Sequence, residues 1–434
     1  MESLGQIEAV IGDSGGENIE VNYEINVRGE TVKVTGPRTG QETEYGYDLS
    51  GRIAVIEQAM NSSATIITKT FYDKAGRQTA TLFDSGGLNI LDNSVYDDAG
   101  RVTRQFRQAG ATVYDGSYST YNADGSVSNQ SVTVESSSDT RREVAYEYDK
   151  EGRMVKQTVD PDGLGIETVT HFDALGRAFV STVDPGGENQ TGVSVFNGAG
   201  QVAKSYSISR WFNDNGSGWE NYTGDDYKTV FSYDRLGRPV LVTDANGKTA
   251  KTVYDFGGRV KDVYFVFAGD NNFHHKVTYV YDLAGNRTKV TAPAAMETDP
   301  DGYTVDTEFT FDRLSRLTAI DYPAPGPDES YTYDDSGNMH SKTDGSGHTS
   351  YFTYNYLNQL VKIEFADLAD RNFGYDSAGR LVHVSDGGTN ETYSYDHFGN
   401  LINKTDNQYS PAKEINYGYF EDGALENTSC NGYT

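Results

Sequence analysis

Three short stretches carry residue types that could do chemistry. Gly12-Asp13-Ser14-Gly15-Gly16 matches the G-D-S-G-G string of serine proteases and the looser G-x-S-x-G elbow of hydrolases. A nucleophilic serine needs a histidine base and an acid placed around it. None of the 7 histidines stands in a protease-like motif and no strand-elbow-helix pattern frames Ser14, so the string reads as a turn. Asp160-Pro161-Asp162-Gly163 and Asp299-Pro300-Asp301-Gly302 begin like a calcium loop, but neither completes the alternating ligands and distal bidentate Glu that such a loop requires. His274-His275 is an isolated pair whose side chains leave a strand on opposite faces, so zinc is not expected. The expectation is a chain with no catalytic, cofactor-binding or metal-ligating residues, and no enzyme.

The elements that would position any side chain are set by a different pattern, seen from Tyr146 to Val155 as Y-E-Y-D-K-E-G-R-M-V. Tyr146 and Tyr148 fall on one face of a strand. Asp149 suits the first position of a type I turn, Gly152 supplies a positive φ, and Arg153 opens the return strand within reach of the Asp. The unit is a β-hairpin. It recurs as Tyr47, Asp48, Gly51, Arg52; Tyr72, Asp73, Gly76, Arg77; Tyr96-Asp97 with Gly100-Arg101; Tyr148, Asp149, Gly152, Arg153; Tyr233, Asp234, Gly237, Arg238; and Tyr375, Asp376, Gly379, Arg380. Drifted copies such as Tyr121-Asn122, Phe172-Asp173, Tyr254-Asp255, Tyr281-Asp282 and Tyr395-Asp396 fill the gaps, at steps of about 20 to 27 residues that signal a repeat architecture.

The string Y-D-x-x-G-R, with a further aromatic two residues earlier at Tyr45, Tyr146, Phe231, Tyr279, Phe309, Tyr331, Phe373 and Tyr393, resembles the RHS or YD repeat. That repeat occurs in bacterial RHS polymorphic toxins, in shell components of insecticidal toxin complexes and in teneurins. The resemblance runs from about residue 43 to about 420. It implies an all-β fold in which tandem β-hairpins form one long curved antiparallel sheet, a spiral or partial hollow shell. It also implies a non-catalytic structural segment, extracellular or delivered, whose partners are the rest of a larger RHS protein or an enclosed cargo such as a toxin domain. The self-cleaving D-P-x-G segment of many RHS proteins has only a superficial likeness here, at Asp160 to Gly163 in mid-array, so no catalytic role carries over.

Composition agrees with such an array. Hydrophobic residues are 36% of the chain, and 32 Tyr and 19 Phe supply the area that scarce aliphatics do not. The net charge of −28 and the lack of Lys/Arg clusters exclude a nucleic-acid surface. One cysteine, Cys430, excludes an intrachain disulfide. No run approaches a membrane span, and the N-terminal residues do not form a secretory signal, which favours a segment of something longer.

Two divisions are expected. Residues 1–42 read as a degenerate leading or capping β segment, and 43–434 as the array of about sixteen units. Second corners such as Asp244-Ala245-Asn246-Gly247 and Asp344-Gly345 place a turn on the opposite edge of the strip. About 32 strands at about 4.8 Å make a strip about 150 Å long, enough for about one turn of a coil about 50 Å across. A long hairpin insertion at 206–228 holds Trp211, Trp219 and Tyr222. Those rings either fold back onto the sheet or form a ligand contact, and the second reading supports the alternative function of a cell-surface adhesin or carbohydrate-binding array with a glycan or receptor as partner.

Overall fold

A computed structural model describes residues 3–12, 18–62, 64–84, 89–110, 112–135, 140–163, 165–183, 190–208, 228–266, 274–293, 304–324, 328–396, 399–419 and 425–431. They form 35 strands and no helix. Each strand pairs antiparallel with its sequence neighbours, from Ser3–Gly12 on Asn18–Asn26 to Lys413–Tyr419 on Leu425–Asn431. Among the described residues the first and last strands do not pair with each other, so the sheet is an open ribbon. Residues 18–47 join it through the same ladder as the rest.

The hairpin corners are built alike because their sequence is alike. At Asp149 the backbone N–H donates to Arg153 O (3.0 Å) and Gly152 N–H donates to Asp149 O (3.0 Å), with Gly152 at φ 78°. The register then slips between Glu147 and Tyr148, which face Lys156 and Met154. The same slip follows at Gly46/Tyr47, Phe71/Tyr72 and Ser232/Tyr233. An extra residue on the return strand is a β-bulge, which sharpens twist and bends the strand. One bulge per unit on one edge therefore curves the whole ribbon.

Packing is that of a single layer. The surface of 25638 Å² compares with about 16,000 Å² for a compact globule of this mass. Few side chains are fully buried; Val180 (1% exposed), Val193 (1%) and Tyr206 (4%) form one cluster across three paired strands. Cross-strand pairs carry the remainder. Phe231 faces Val242, Tyr279 faces Val290, Phe309 faces Ile320, Phe352 faces Ile363 and Phe373 faces Val384. Such aromatic to β-branched pairs each contribute about 0.2–1 kcal/mol. Earlier in the chain Tyr45 faces Ile56 in the same way, but several equivalent positions are polar, as in Thr70 facing Thr81 and Ser194 facing Ser205.

The ribbon winds more tightly than its length implies. The turn Gly36–Gln41 lies against the corners at Asp334 and Asn355, some three hundred residues later. That is about 24 strand steps, so one winding is about 115 Å around and about 37 Å across. The chain completes about one and a half windings rather than one.

Candidate functional site

The side chains that the repeat brings together lie on the edge that carries the Tyr-Asp corners. In each regular unit the Asp holds its own corner: Asp48 Oδ1 accepts from the N–H groups of Ser50 (2.8 Å) and Arg52 (3.0 Å), and Oδ2 accepts from Arg52 Nε (2.7 Å). Asp73 with Arg77, Asp149 with Arg153, Asp234 with Arg238 and Asp376 with Arg380 repeat this geometry. The Arg52 backbone N–H, then its guanidinium, hold the Asp48 carboxyl below the usual carboxylate range. Arg77 does the same for Asp73.

The arginine then reaches forward. Its guanidinium carbon lies over the aromatic ring of the next unit: Arg52 over Tyr72 (4.2 Å), Arg77 over Tyr96 (4.6 Å), Arg153 over Phe172 (4.7 Å), Arg177 over Phe196 (4.3 Å), Arg238 over Tyr254 (4.3 Å) and Arg380 over Tyr395 (4.9 Å). The tyrosine hydroxyl reaches back to a carbonyl of the preceding hairpin: Tyr47 to Thr31 (2.6 Å), Tyr72 to Ile53 (2.9 Å), Tyr233 to Val202 (2.7 Å) and Tyr375 to Leu360 (2.9 Å). Units are thus locked by an Asp, Arg, Tyr relay. Where a unit keeps the arginine, the ring of the next unit has a cation as its partner, and Tyr148 is half-buried.

Units that lack the arginine use amides. Gln201 Nε2 donates to Gly237 O (3.0 Å) and Gln359 Nε2 to Gly379 O (2.6 Å). Two later units add a second device, since Tyr331 donates to Glu329 and Tyr393 to Glu391 while Lys342 and Lys404 lie over the same rings. Burial and these carboxylates raise both phenols.

A second cluster is the seam between windings. Arg38 Nη2 pairs with Asp334 Oδ2 at 2.7 Å, its Nη1 donates to Asn355 O at 2.6 Å, and its guanidinium lies 5.8 Å from the Tyr354 ring centroid. Gln41 Nε2 donates to Tyr356 O (3.2 Å) and its Oε1 accepts from Ser336 Oγ (3.2 Å). Gly40, at φ 86°, leaves no room for a Cβ against the Tyr356 ring, which an added atom would meet at 2.9 Å. Arg38 is only 17% exposed, less than the arginine of any corner pair shown, so its side of the pair is well shielded from solvent. Farther on, Arg107, held mainly by Asp92, also feels the Asp396 charge across the same seam. Beside Arg38 a cleft of about 420 Å³ is lined by Val21, Pro37, Gln41, Leu314, Arg316 and Ser336.

The sequence readings based on chemistry fall elsewhere. Ser14, Trp211, Trp219, Tyr222 and Asp299 to Gly302 lie outside the described residues, as do the side chains of His274 and His275. Asp160 has φ 52° and its carbonyl accepts from the N–H groups of Gly163 (3.1 Å) and Gly165 (2.7 Å), so that stretch is a backbone turn. Among the described residues no three His, Cys, Asp or Glu side chains converge to hold a metal, and no helix is long and apolar enough to cross a membrane. Cys430 is exposed. The Arg38 seam escaped the sequence reading, although a Pro-Arg-Thr-Gly turn among corners that begin with Asp was a visible signal.

Fold and edge together define a tandem β-hairpin repeat protein wound as one continuous ribbon. Residues 275–424 match the Teneurin YD-shell family. That match covers about a third of the chain and, with the hairpin repeat, supports kinship with RHS/YD-repeat proteins. Among solved structures it is similar to the Photorhabdus luminescens Tc holotoxin pore in a TccC3 mutant form, with TM-score 0.65 and 16% identity over 93% of this chain and 22% of that one. It is also similar to TcdB2-TccC3 without its hypervariable C-terminal region, with TM-score 0.65 and 16% identity over 95% of this chain and 23% of that one. A curated relative is the tRNA3(Ser)-specific nuclease WapA of Bacillus spizizenii, 25% identical over 189 residues, which is 43% of this chain and 8% of that protein. The chain thus spans under a quarter of each of these relatives.

Proposed function

We propose that this chain is a non-catalytic wall segment of a β-shell, extracellular or delivered, that encloses or displays another polypeptide as part of a larger RHS assembly. The observation that carries this reading is the seam: a single-layer ribbon returns alongside itself after one winding and is fastened there edge to edge. A sheet about 10 Å thick wound about 37 Å across leaves a lumen wide enough for an extended or partly folded chain. Nothing in the Asp, Arg, Tyr relay supplies a nucleophile or a base, because each carboxylate is committed to its own corner.

The test is protease protection. A flexible reporter peptide carried C-terminally in the complete parent polypeptide is digested beside the same peptide free in solution. Protection that ends when the wall is unfolded supports the shell. Equal digestion rates overturn it. The enzymatic reading has its own check: fluorophosphonate labelling that Ser14→Ala removes would establish a nucleophile and contradict the non-catalytic assignment.

A further inference from the structure

Asn197 leads a corner that reads Asn197-Gly198-Ala199-Gly200-Gln201. Its Oδ1 accepts from the N–H groups of Ala199 (3.0 Å) and Gln201 (3.0 Å), and its Nδ2 donates to Gln201 Oε1 (3.0 Å). Two N–H donors on one carbonyl oxygen draw charge from Cγ, and they are in place to hold the oxyanion that forms when Cγ is attacked. The next residue is the attacker. Gly198 is exposed, carries no side chain to crowd its nitrogen, and among the described residues its N–H has no acceptor. Nucleophile and electrophile are neighbours in one turn, so ring closure between them is unimolecular.

Related positions each lack one of these parts. Asn246 also precedes a glycine, but the Gly247 N–H donates to Asp244 O (3.0 Å). Asn355 keeps the amide contacts, with Oδ1 accepting from Leu357 (3.0 Å) and Gln359 (3.0 Å) and Nδ2 donating to Gln359 Oε1 (2.7 Å), but the half-buried Tyr356 follows it. Asp344-Gly345 and Asp386-Gly387 keep the glycine but present carboxyls that backbone N–H groups, of His348 and Gly388 first, hold below the usual range. An ionised carboxylate resists attack where a neutral amide does not.

We infer that Asn197 is a self-modification site, the amide converting to an acid without an enzyme. The Gly198 nitrogen bonds to Asn197 Cγ, its proton passes through water to the departing amide, the Cγ–Nδ2 bond breaks and ammonia leaves. Water then opens the cyclic imide at either carbonyl, giving an aspartate at 197 or its β-linked isomer. The sum is asparagine plus water to aspartate plus ammonia, with no other reactant. The change reaches the next unit, because Gln201 Nε2 donates to Gly237 O (3.0 Å) while Gln201 Oε1 receives Asn197 Nδ2. A carboxylate at 197 repels that Oε1, so the Gln201 amide turns its Nε2 inward and Gly237 O loses its donor. The fastening between the corners at Asn197 and Asp234 therefore has a chemical lifetime. This goes beyond the shell reading and does not depend on it.

The test ages the full chain in neutral buffer and maps it by peptide mass spectrometry, with isoaspartyl methyltransferase detecting the β-linked product. Asn197 is expected to convert at least about tenfold faster than Asn246 and Asn355. In urea, where the Asp244 bond is gone, Asn197 and Asn246 should react alike. Gly198→Ala adds a Cβ into open space at a φ outside the left-handed region, so the variant should fold and convert far more slowly. Equal rates at Asn197 and Asn246 in the folded chain, or conversion indifferent to Gly198→Ala, overturn the site. So does a folded chain in which Asn197 stays intact while the urea-unfolded chain reacts. Asn197→Asp made directly should exchange amide hydrogens faster than wild type across Lys228–Tyr233 and Pro239–Thr243. Unchanged exchange there overturns the severed link to Gly237.

Discussion

The Arg52 guanidinium carbon lies 4.2 Å from the centroid of the Tyr72 ring while Arg52 Nε donates to Asp48 Oδ2 at 2.7 Å, so one side chain fastens its own corner and the next hairpin. Arg52→Ala should cost about 1 kcal/mol, and a double-mutant cycle with Tyr72→Leu should show coupling of about 0.5–1 kcal/mol. Urea titrations of the four chains measure it. Coupling of zero would mean that the ring and the cation are neighbours without interacting.

The tyrosine hydroxyls form the return link. Tyr233→Phe keeps the ring and loses the bond to Val202 O, with an expected loss of about 0.5–1.5 kcal/mol. Because the Tyr148 ring is only half-buried, Tyr148→Ala should cost about 1–3 kcal/mol, less than removal of a fully enclosed ring. A Tyr233→Phe chain as stable as wild type would make the hydroxyl bonds incidental.

Corner glycines test backbone alone. Gly152 has φ 78° and nothing within 4 Å of an added Cβ, so Gly152→Ala should destabilise by about 1–2 kcal/mol through the left-handed conformation alone. Thermal denaturation of the variant gives the figure. A shift in the stabilising direction would mean that the corner relaxes to another turn.

Acid should loosen the ribbon. Backbone N–H groups and arginines hold Asp48, Asp73 and Asp234 below the ordinary carboxylate range, and the Gly388 N–H with Arg371 takes Asp386 to about 2. A carboxyl whose folded pKa is depressed stabilises fully above its unfolded value of about 3.9 and loses that contribution as pH falls through the folded value. Stability should be flat from about pH 5 to 8 and fall between about pH 4 and 2. Asp321 runs the other way because Asp328 faces it, an opposing contribution from one site. At the alkaline end, the raised Tyr331 and Tyr393 favour their neutral forms, so stability should also fall above about pH 10. Denaturant midpoints unchanged down to pH 2 would contradict the corner assignment.

The repeat was legible because each hairpin is specified within about ten residues: an Asp to cap, a Gly to turn, an Arg to return. Asp149, Gly152 and Arg153 could be assigned to a corner without any distant residue. Two features were not legible. One is the partner of each ring, since the pattern places Tyr146 and Tyr148 on one face but does not say that Arg153 bends forward over Phe172. The radius was overestimated because it depends on the bulge at every corner and on the docking of Arg38 on Asp334, a pairing that no local spacing encodes.

The winding itself is tested most directly by one distance. With Cys430→Ser as background, spin labels at Thr39→Cys and Asp335→Cys flank the pair of Arg38 and Asp334 without replacing either. Double electron–electron resonance should give a single narrow distribution below about 25 Å, because the two turns touch across the seam, and Arg38→Ala should broaden it. A ribbon that failed to return on itself would leave about 24 strand steps between the labels, a broad distribution centred beyond about 60 Å. That result would contradict the wound shell and everything built on its seam.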